Sequence, residues 1–211
     1  MIEFVETAVQ YDRERVFRRL HIEPGTEVYA YSASVFPRLE ELLAQKLHMY
    51  NCYQISQGQI RVDLPEVDGC AYQVACLSTC TREIADTIDG LLEQGEFLEG
   101  YVLNDLVNDV IFNASDQMNR QIDVRVRSMG CHLTRRWSPG EGELDLRYQE
   151  VLLARFREAA DLGHITLNES YMLKPERSML YLYGADPKLP WIPVEHDCRQ
   201  CPNLNCQFRT E

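Results

Sequence analysis

The chain has 211 residues, 45% hydrophobic and 26% charged, with 21 Lys and Arg against 33 Asp and Glu for a net charge of −12. That composition is an ordinary globular protein's, long enough for one sizeable core or one domain plus an appendage, and its acidity argues against a nucleic-acid backbone as partner. No run is long and apolar enough to span a bilayer, and Met1–Glu6 lacks a signal peptide's basic-then-apolar layout, so a cytoplasmic protein without a membrane partner is expected.

In chain order, Tyr11–Leu20 reads as a short charged helix with Val16 and Leu20 on one face. Pro37, favoured in a first turn, opens a second helix with Leu39, Leu42, Leu43 and Leu47 as its stripe. From Cys52 the period changes: Tyr53–Ser56 and Ile60–Leu64 alternate about Gly58 as two strands of a hairpin do, and Ala71–Leu77 reads as a more buried strand. Thr81 caps the next helix, carrying Ile84, Ile88, Leu91 and Leu92 and ending near Gly95.

The longest periodic segment follows, with Leu98, Val102, Leu106, Val110, Ala114 and Met118 recurring every four residues. This is the expected core helix. Its polar face carries Asn104, Asp105, Asn108, Asp109 and Asp116, and the expectation is a solvated face. After the stretch Arg135–Leu144, Tyr148–Asp161 predicts another amphipathic helix stopped by Gly163. Strands are expected from Ile165 and over Ser178–Tyr183, split by Pro175. The order does not alternate βαβ, so the fold class is α+β, an antiparallel sheet packed with several helices. Residues 1–187 form the domain; 188–211 are a proline-rich linker and a cysteine-rich tail.

Two stretches carry chemistry. Arg135-Arg136-Trp137-Ser138-Pro139-Gly140-Glu141-Gly142 lies between helices and cannot itself be helix. Its glycines permit positive φ and close approach of a ligand to bare backbone, and an arginine fork suits a carboxylate. Those residue types fit a pocket for a small ligand with an anionic end; the alternative is a surface turn with a solvated arginine. The tail reads Cys198-x2-Cys201-x4-Cys206, three of the chain's eight cysteines. Soft thiolates select zinc or an iron–sulfur cluster. Zinc wants a fourth ligand, which His196 or Cys131 could supply, whereas a cubane with one open iron needs three; a metal-free redox dithiol is the other reading.

Arg136-Trp137-Ser138-Pro139-Gly140-Glu141, with Gln149 further on, resembles the Arg-x-x-Pro-Gly-Tyr signature of the reactivation domain of cobalamin-dependent methionine synthase. The segment Leu167-Asn168-Glu169-Ser170 through Pro175, Ser178 and Met179 is similar to that family's second motif, in the right order and at the right separation. The helix at Tyr11–Leu20 and the cysteine tail resemble stand-alone versions of the family. The resemblance implies an activation-domain-like fold and S-adenosylmethionine held by Arg136, Ser138, Gly140 and Glu141. Arg136 would take the methionyl carboxylate, and an acidic position on the long helix falls near Asn113 and Asp116. It further implies a role in reductive reactivation: offering the methyl group to a partner-borne cobalamin that has lapsed into its inactive Co(II) state. The partners would then be a cobalamin-dependent methyltransferase or corrinoid protein and a flavodoxin- or ferredoxin-type reductant. An iron–sulfur cluster or zinc at Cys198, Cys201 and Cys206 would add an electron relay or a structural knot. The chain departs from the family at Glu141, where the signature has tyrosine, and it lacks clear counterparts of the family's later tyrosine pair unless Trp191 serves. A non-catalytic binding or sensing module of the same fold is the alternative function.

Overall fold

The computed structural model describes residues 1–58, 60–159 and 162–194. Five strands form one antiparallel sheet in the order β1-β2-β3-β7-β4, spanning Ile2–Phe4, Met49–Ser56, Tyr72–Cys80, Ser178–Asp186 and His132–Leu133. A separate hairpin pairs β5 (Thr166–Leu167) with β6 (Leu173–Lys174). The helices are α1 (Arg13–Arg19), α2 (Glu27–Lys46), α3 (Pro65–Asp68), α4 (Arg82–Glu93), α5 (Phe97–Ser128) and α6 (Tyr148–Ala154). The expected class, an antiparallel sheet packed with helices, is the one observed.

The two-residue period of the strands sorts the core into layers. In β3 and β7, Val74, Cys76, Tyr181 and Tyr183 pack with Met118, Ile122 and Val126 of α5. Their neighbours Ala75, Leu77, Leu180 and Leu182 pack on the opposite face with Trp137, Leu144, Leu152 and Phe156. A third cluster joins α1, α2 and α4 to the first half of α5, where Val102, Leu103, Leu106, Val107 and Val110 are fully buried. Each such side chain is worth about 1.5–3 kcal/mol of transfer free energy, which is why α5 is the core helix.

Four expectations change. α2 begins ten residues before Pro37, at Glu27, capped by Thr26, whose hydroxyl accepts the Tyr29 N–H. The buried row Ser32, Phe36, Leu39 and Leu43 runs through the proline, and Phe36 packs edge-on to Phe17 at 5.6 Å; this tertiary packing outweighs the proline's missing N–H. Ile60–Leu64 is not a strand. Its alternation reflects Ile60, Val62 and Leu64 entering the second core, while the Val62 N–H donates to the Asp68 carboxylate instead of a ladder. The helix expected over Tyr148–Asp161 ends at Ala154, where bonds tighten to the i→i−3 pattern (Arg155 N–H to Leu152 C=O, 3.0 Å).

The fourth concerns the polar face of α5. Asp105 and Asp109 are 6% and 1% exposed. Asp109 accepts from Arg15 Nε and Nη2 at 2.8 Å each, from Arg19 Nη1 at 2.9 Å and from the Asp12 N–H at 2.9 Å. Asp105 accepts from Arg19 Nε at 2.8 Å. One helical turn on, Asn113 donates to the Gln10 carbonyl, and a turn further Gln117 exchanges two bonds with the Ala8 backbone, at 2.9 Å each. A row of every fourth residue thus zips the N-terminal segment and α1 onto α5. Periodicity shows which residues are polar and is silent on what covers them.

Candidate ligand-binding site

After α5 the chain turns at Gly130, at φ 74°, and β4 pairs with the end of β7, His132 against Asp186 and Leu133 against Ala185. Four residues later Trp137 pairs with Leu182, exchanging bonds of 3.0 and 2.9 Å. Four steps on this segment therefore match three on β7, and one residue is extra. The segment bulges at Arg135–Arg136, which together stand opposite Tyr183. Thr134 anchors the near side: its N–H donates to the Gly184 carbonyl at 2.9 Å and its hydroxyl accepts the Gly184 N–H at 3.0 Å. A bulge re-aims side chains that regular pleating would fix. The Arg135 guanidinium lies 3.6 Å over the Trp137 ring. Arg136 reaches the α5 side of the sheet, 5.4 Å over the Tyr181 ring.

Ser138–Leu144 closes a compact turn. The Ser138 carbonyl accepts the Glu141 N–H at 3.0 Å, and the Gly140 N–H donates to the Leu144 carbonyl at 2.7 Å. Gly140 sits at φ 90°, and a Cβ there would stand 3.1 Å from Leu146 Cδ1. The positive φ therefore favours glycine here, with the Leu146 side chain adding a tight contact, and its N–H is already bonded; its place at a ligand site is conformational. Among the described residues the Ser138 N–H has no acceptor, and the half-buried Arg136 guanidinium has no hydrogen-bonding or ion-pairing partner. Glu141 is exposed.

Beneath Arg136 lies a polar group of α5 and β7 that sequence patterning does not single out. The Tyr181 hydroxyl donates to Asn119 Oδ1 at 2.9 Å and lies 2.9 Å from Ser115 Oγ. Tyr183 packs against Tyr181 edge-on, with ring centroids 5.9 Å apart. Burial raises both hydroxyls well above the ordinary tyrosine value while the charge of Arg136 opposes the rise; Asp116 adds to it at Tyr183. Both tyrosines are therefore neutral donors. Asp116 is the α5 acid whose field reaches this group, whereas Asn113 is occupied by the N-terminal segment. Around the bulge, the Tyr183 hydroxyl, Trp137 Nε1 and His132 Nδ1 are buried without a partner among the described residues. The only prior signal was the pair of tyrosines two apart in a strand, which puts both on one face.

The second motif forms the β5–β6 turn. Asn168 Oδ1 accepts the Ser170 and Met172 N–H groups at 2.9 Å each, and Tyr171 adopts φ 60°. This hairpin and α6 border a cleft of about 640 Å³ that does not include Arg136. Cys198, Cys201, Cys206 and His196 lie outside the described residues. Among the described residues no three His, Cys, Asp or Glu side chains are grouped to hold a metal, and Cys52, Cys70, Cys76, Cys80 and Cys131 are free thiols. No described helix is long and apolar enough to cross a membrane.

Compared with known proteins, the sequence matches no family model and no curated protein. A crystal structure described as the MetH reactivation domain bound to AdoHcy superposes with a TM-score of 0.62, at 12% identity, over 92% of this chain and 81% of that one. At that identity the likeness is one of fold: the chain has the helix-packed antiparallel sheet of the MetH reactivation domain.

Proposed function

We propose that the chain binds S-adenosylmethionine at the Arg135–Arg136 bulge and serves in the reductive reactivation of a cobalamin-dependent methyltransferase or corrinoid protein. The carrying observation is the half-buried Arg136 guanidinium, without a hydrogen-bonding or ion-pairing partner among the described residues, on a fold whose solved neighbour holds AdoHcy. A guanidinium fork is made for a carboxylate, and the ligand's amino-acid end carries one. In this reading Arg136 grips that carboxylate, the Ser138 N–H adds a donor, and Asp116 sets negative charge beside the ligand's cationic groups. When bound, S-adenosylmethionine supplies an electrophilic methyl group; the chain's own residues orient it and exclude water. The cobalamin is carried by the partner, and the electron comes from a flavodoxin- or ferredoxin-type donor.

The test is calorimetric titration of anaerobically purified protein with S-adenosylmethionine beside Arg136→Ala. Saturable binding weakened at least tenfold by the variant, the loss of a charge-assisted bond, is the expected result. Wild-type binding that Arg136→Ala leaves intact would overturn the assignment of the site.

A second reading is favoured by exposed Glu141 in the place of the signature tyrosine: a binding or sensing module without methyl transfer. For the tail, we infer that Cys198, Cys201 and Cys206 bind an iron–sulfur cluster or zinc. Metal analysis of anaerobic protein separates these, and metal-free protein with a titrating dithiol would reject both.

A further inference from the structure

The two tyrosines of β7 that face α5 are alike in burial and unlike in bonding. Tyr181 and Tyr183 are each 1% exposed. The Tyr181 hydroxyl has Ser115 and Asn119, whereas the Tyr183 hydroxyl has no partner among the described residues. A buried hydroxyl left unbonded is destabilising, and phenylalanine would fill the same space without that cost. Tyr183 is the residue that stands opposite the bulge, so the extra residue of the edge segment sets Arg136 across from it, on the same face of the sheet. Of the other two orphans around the bulge, Trp137 Nε1 belongs to a ring packed in the opposite core and His132 Nδ1 to β4, ahead of the bulge.

We propose that the Tyr183 hydroxyl is a further ligand-binding group of this site, donating a hydrogen bond to the carboxylate that Arg136 grips. The inference rests on the reading under Proposed function and adds to it a second, neutral donor, so that recognition of the carboxylate is two-sided. Tyr183 stays protonated in its buried setting and can only donate to an anion. The bulge has a physical consequence in this arrangement: it sets a cationic fork across from a hydroxyl fixed in the central sheet.

The experiment titrates wild type, Tyr183→Phe, Tyr181→Phe and Arg136→Ala with two probes, S-adenosylhomocysteine and 5′-methylthioadenosine, the second lacking the amino-acid end. Thermal unfolding is followed in parallel. The expected result is that Tyr183→Phe unfolds no earlier than wild type and binds S-adenosylhomocysteine about tenfold more weakly, with methylthioadenosine binding unchanged. Tyr181→Phe, which strands Asn119 and Ser115, should unfold earlier without that selectivity. Wild-type affinity for S-adenosylhomocysteine in Tyr183→Phe, or an equal loss for both probes, overturns the inference while leaving the Arg136 reading standing. Absence of saturable binding by the wild-type chain overturns both.

Discussion

Replacing Asp109 by alanine should be among the most damaging single changes in the helical layer. Its carboxylate receives five hydrogen bonds, three of them from guanidinium groups, and its side chain is 2% exposed. Removing one member of a buried ion pair costs about 3–5 kcal/mol, because the partner is left charged and dry. Two features place this case at the lower end. The Arg15 side chain is 31% exposed and can rehydrate, and Arg19 keeps Asp105. We therefore expect a loss of about 3 kcal/mol, a large share of the 5–15 kcal/mol typical of a whole domain. With a urea slope of about 2–3 kcal/mol/M the midpoint should fall by about 1 M.

The loss should depend on pH in a defined direction. Burial raises the Asp109 carboxyl, but the bonds from Arg15, Asp12 and Arg19 outweigh it and hold the group below the ordinary value. Its contribution is present above the unfolded pKa of about 3.9 and disappears as pH falls through the lower folded value. The gap between wild type and Asp109→Ala should accordingly close below about pH 4. Asp105 has the opposite sign: burial raises it despite Arg19, so its contribution is complete below about pH 3.9 and is lost as pH rises through the raised folded value. Urea melts at pH 7, 5 and 3, with Arg15→Ala and the double variant to complete a cycle, measure all of this. A cost under about 1 kcal/mol at pH 7, the range of an exposed pair, would refute the argument and restore a solvated polar face.

Three further outcomes follow from local geometry. Gly140→Ala should lose about 1–2 kcal/mol in a chemical melt, since φ 90° is hostile to a Cβ that would also press on Leu146. Gly184→Ala should cost about 1–3 kcal/mol, because its Cβ would stand 2.5 Å from Cys70 Sγ and 3.1 Å from the Glu66 carbonyl; repulsion relieved in Gly184→Ala/Cys70→Ala would confirm the contact. Burial pushes the Cys52 thiol up to about 12 and the Cys80 thiol up to about 11, so native protein at pH 8 should alkylate neither. Of the five described cysteines, half-buried Cys70 should react first in a mass-spectrometric time course, and rapid labelling of Cys52 or Cys76 would contradict the packing.

Much of the architecture was legible in the chain. The stripe from Leu98 to Met118, the alternation through Cys76 and Leu180 and the Gly95 stop each express a local rule: a period of 3.6 or 2, a glycine at a helix end. Thr81 stands at the N-cap position of α4 as expected, but its buried hydroxyl makes no capping bond. The motif at Arg136 was legible because it joins a fork donor to residues that cannot be helical. Other features depend on partners distant in sequence. β1 and β4 are only three and two residues long, too short to show a period, and exist because β2 and β7 offer open edges. Helix α2 runs through Pro37 because Phe36 finds Phe17, a contact no local propensity contains.

The same division holds at the site. Sequence by itself determined the acidic surface, the class of fold, the arginine with its turn, and the cysteine tail, since each is a matter of composition or of neighbours along the chain. Tertiary structure alone decided that Asp105 and Asp109 are buried against arginines, that Gly140 answers to Leu146, and that one extra residue at the sheet edge sets Arg136 across from Tyr183. Those facts arise from which strand lies beside which and in what register, and a register is a relation between segments some fifty residues apart.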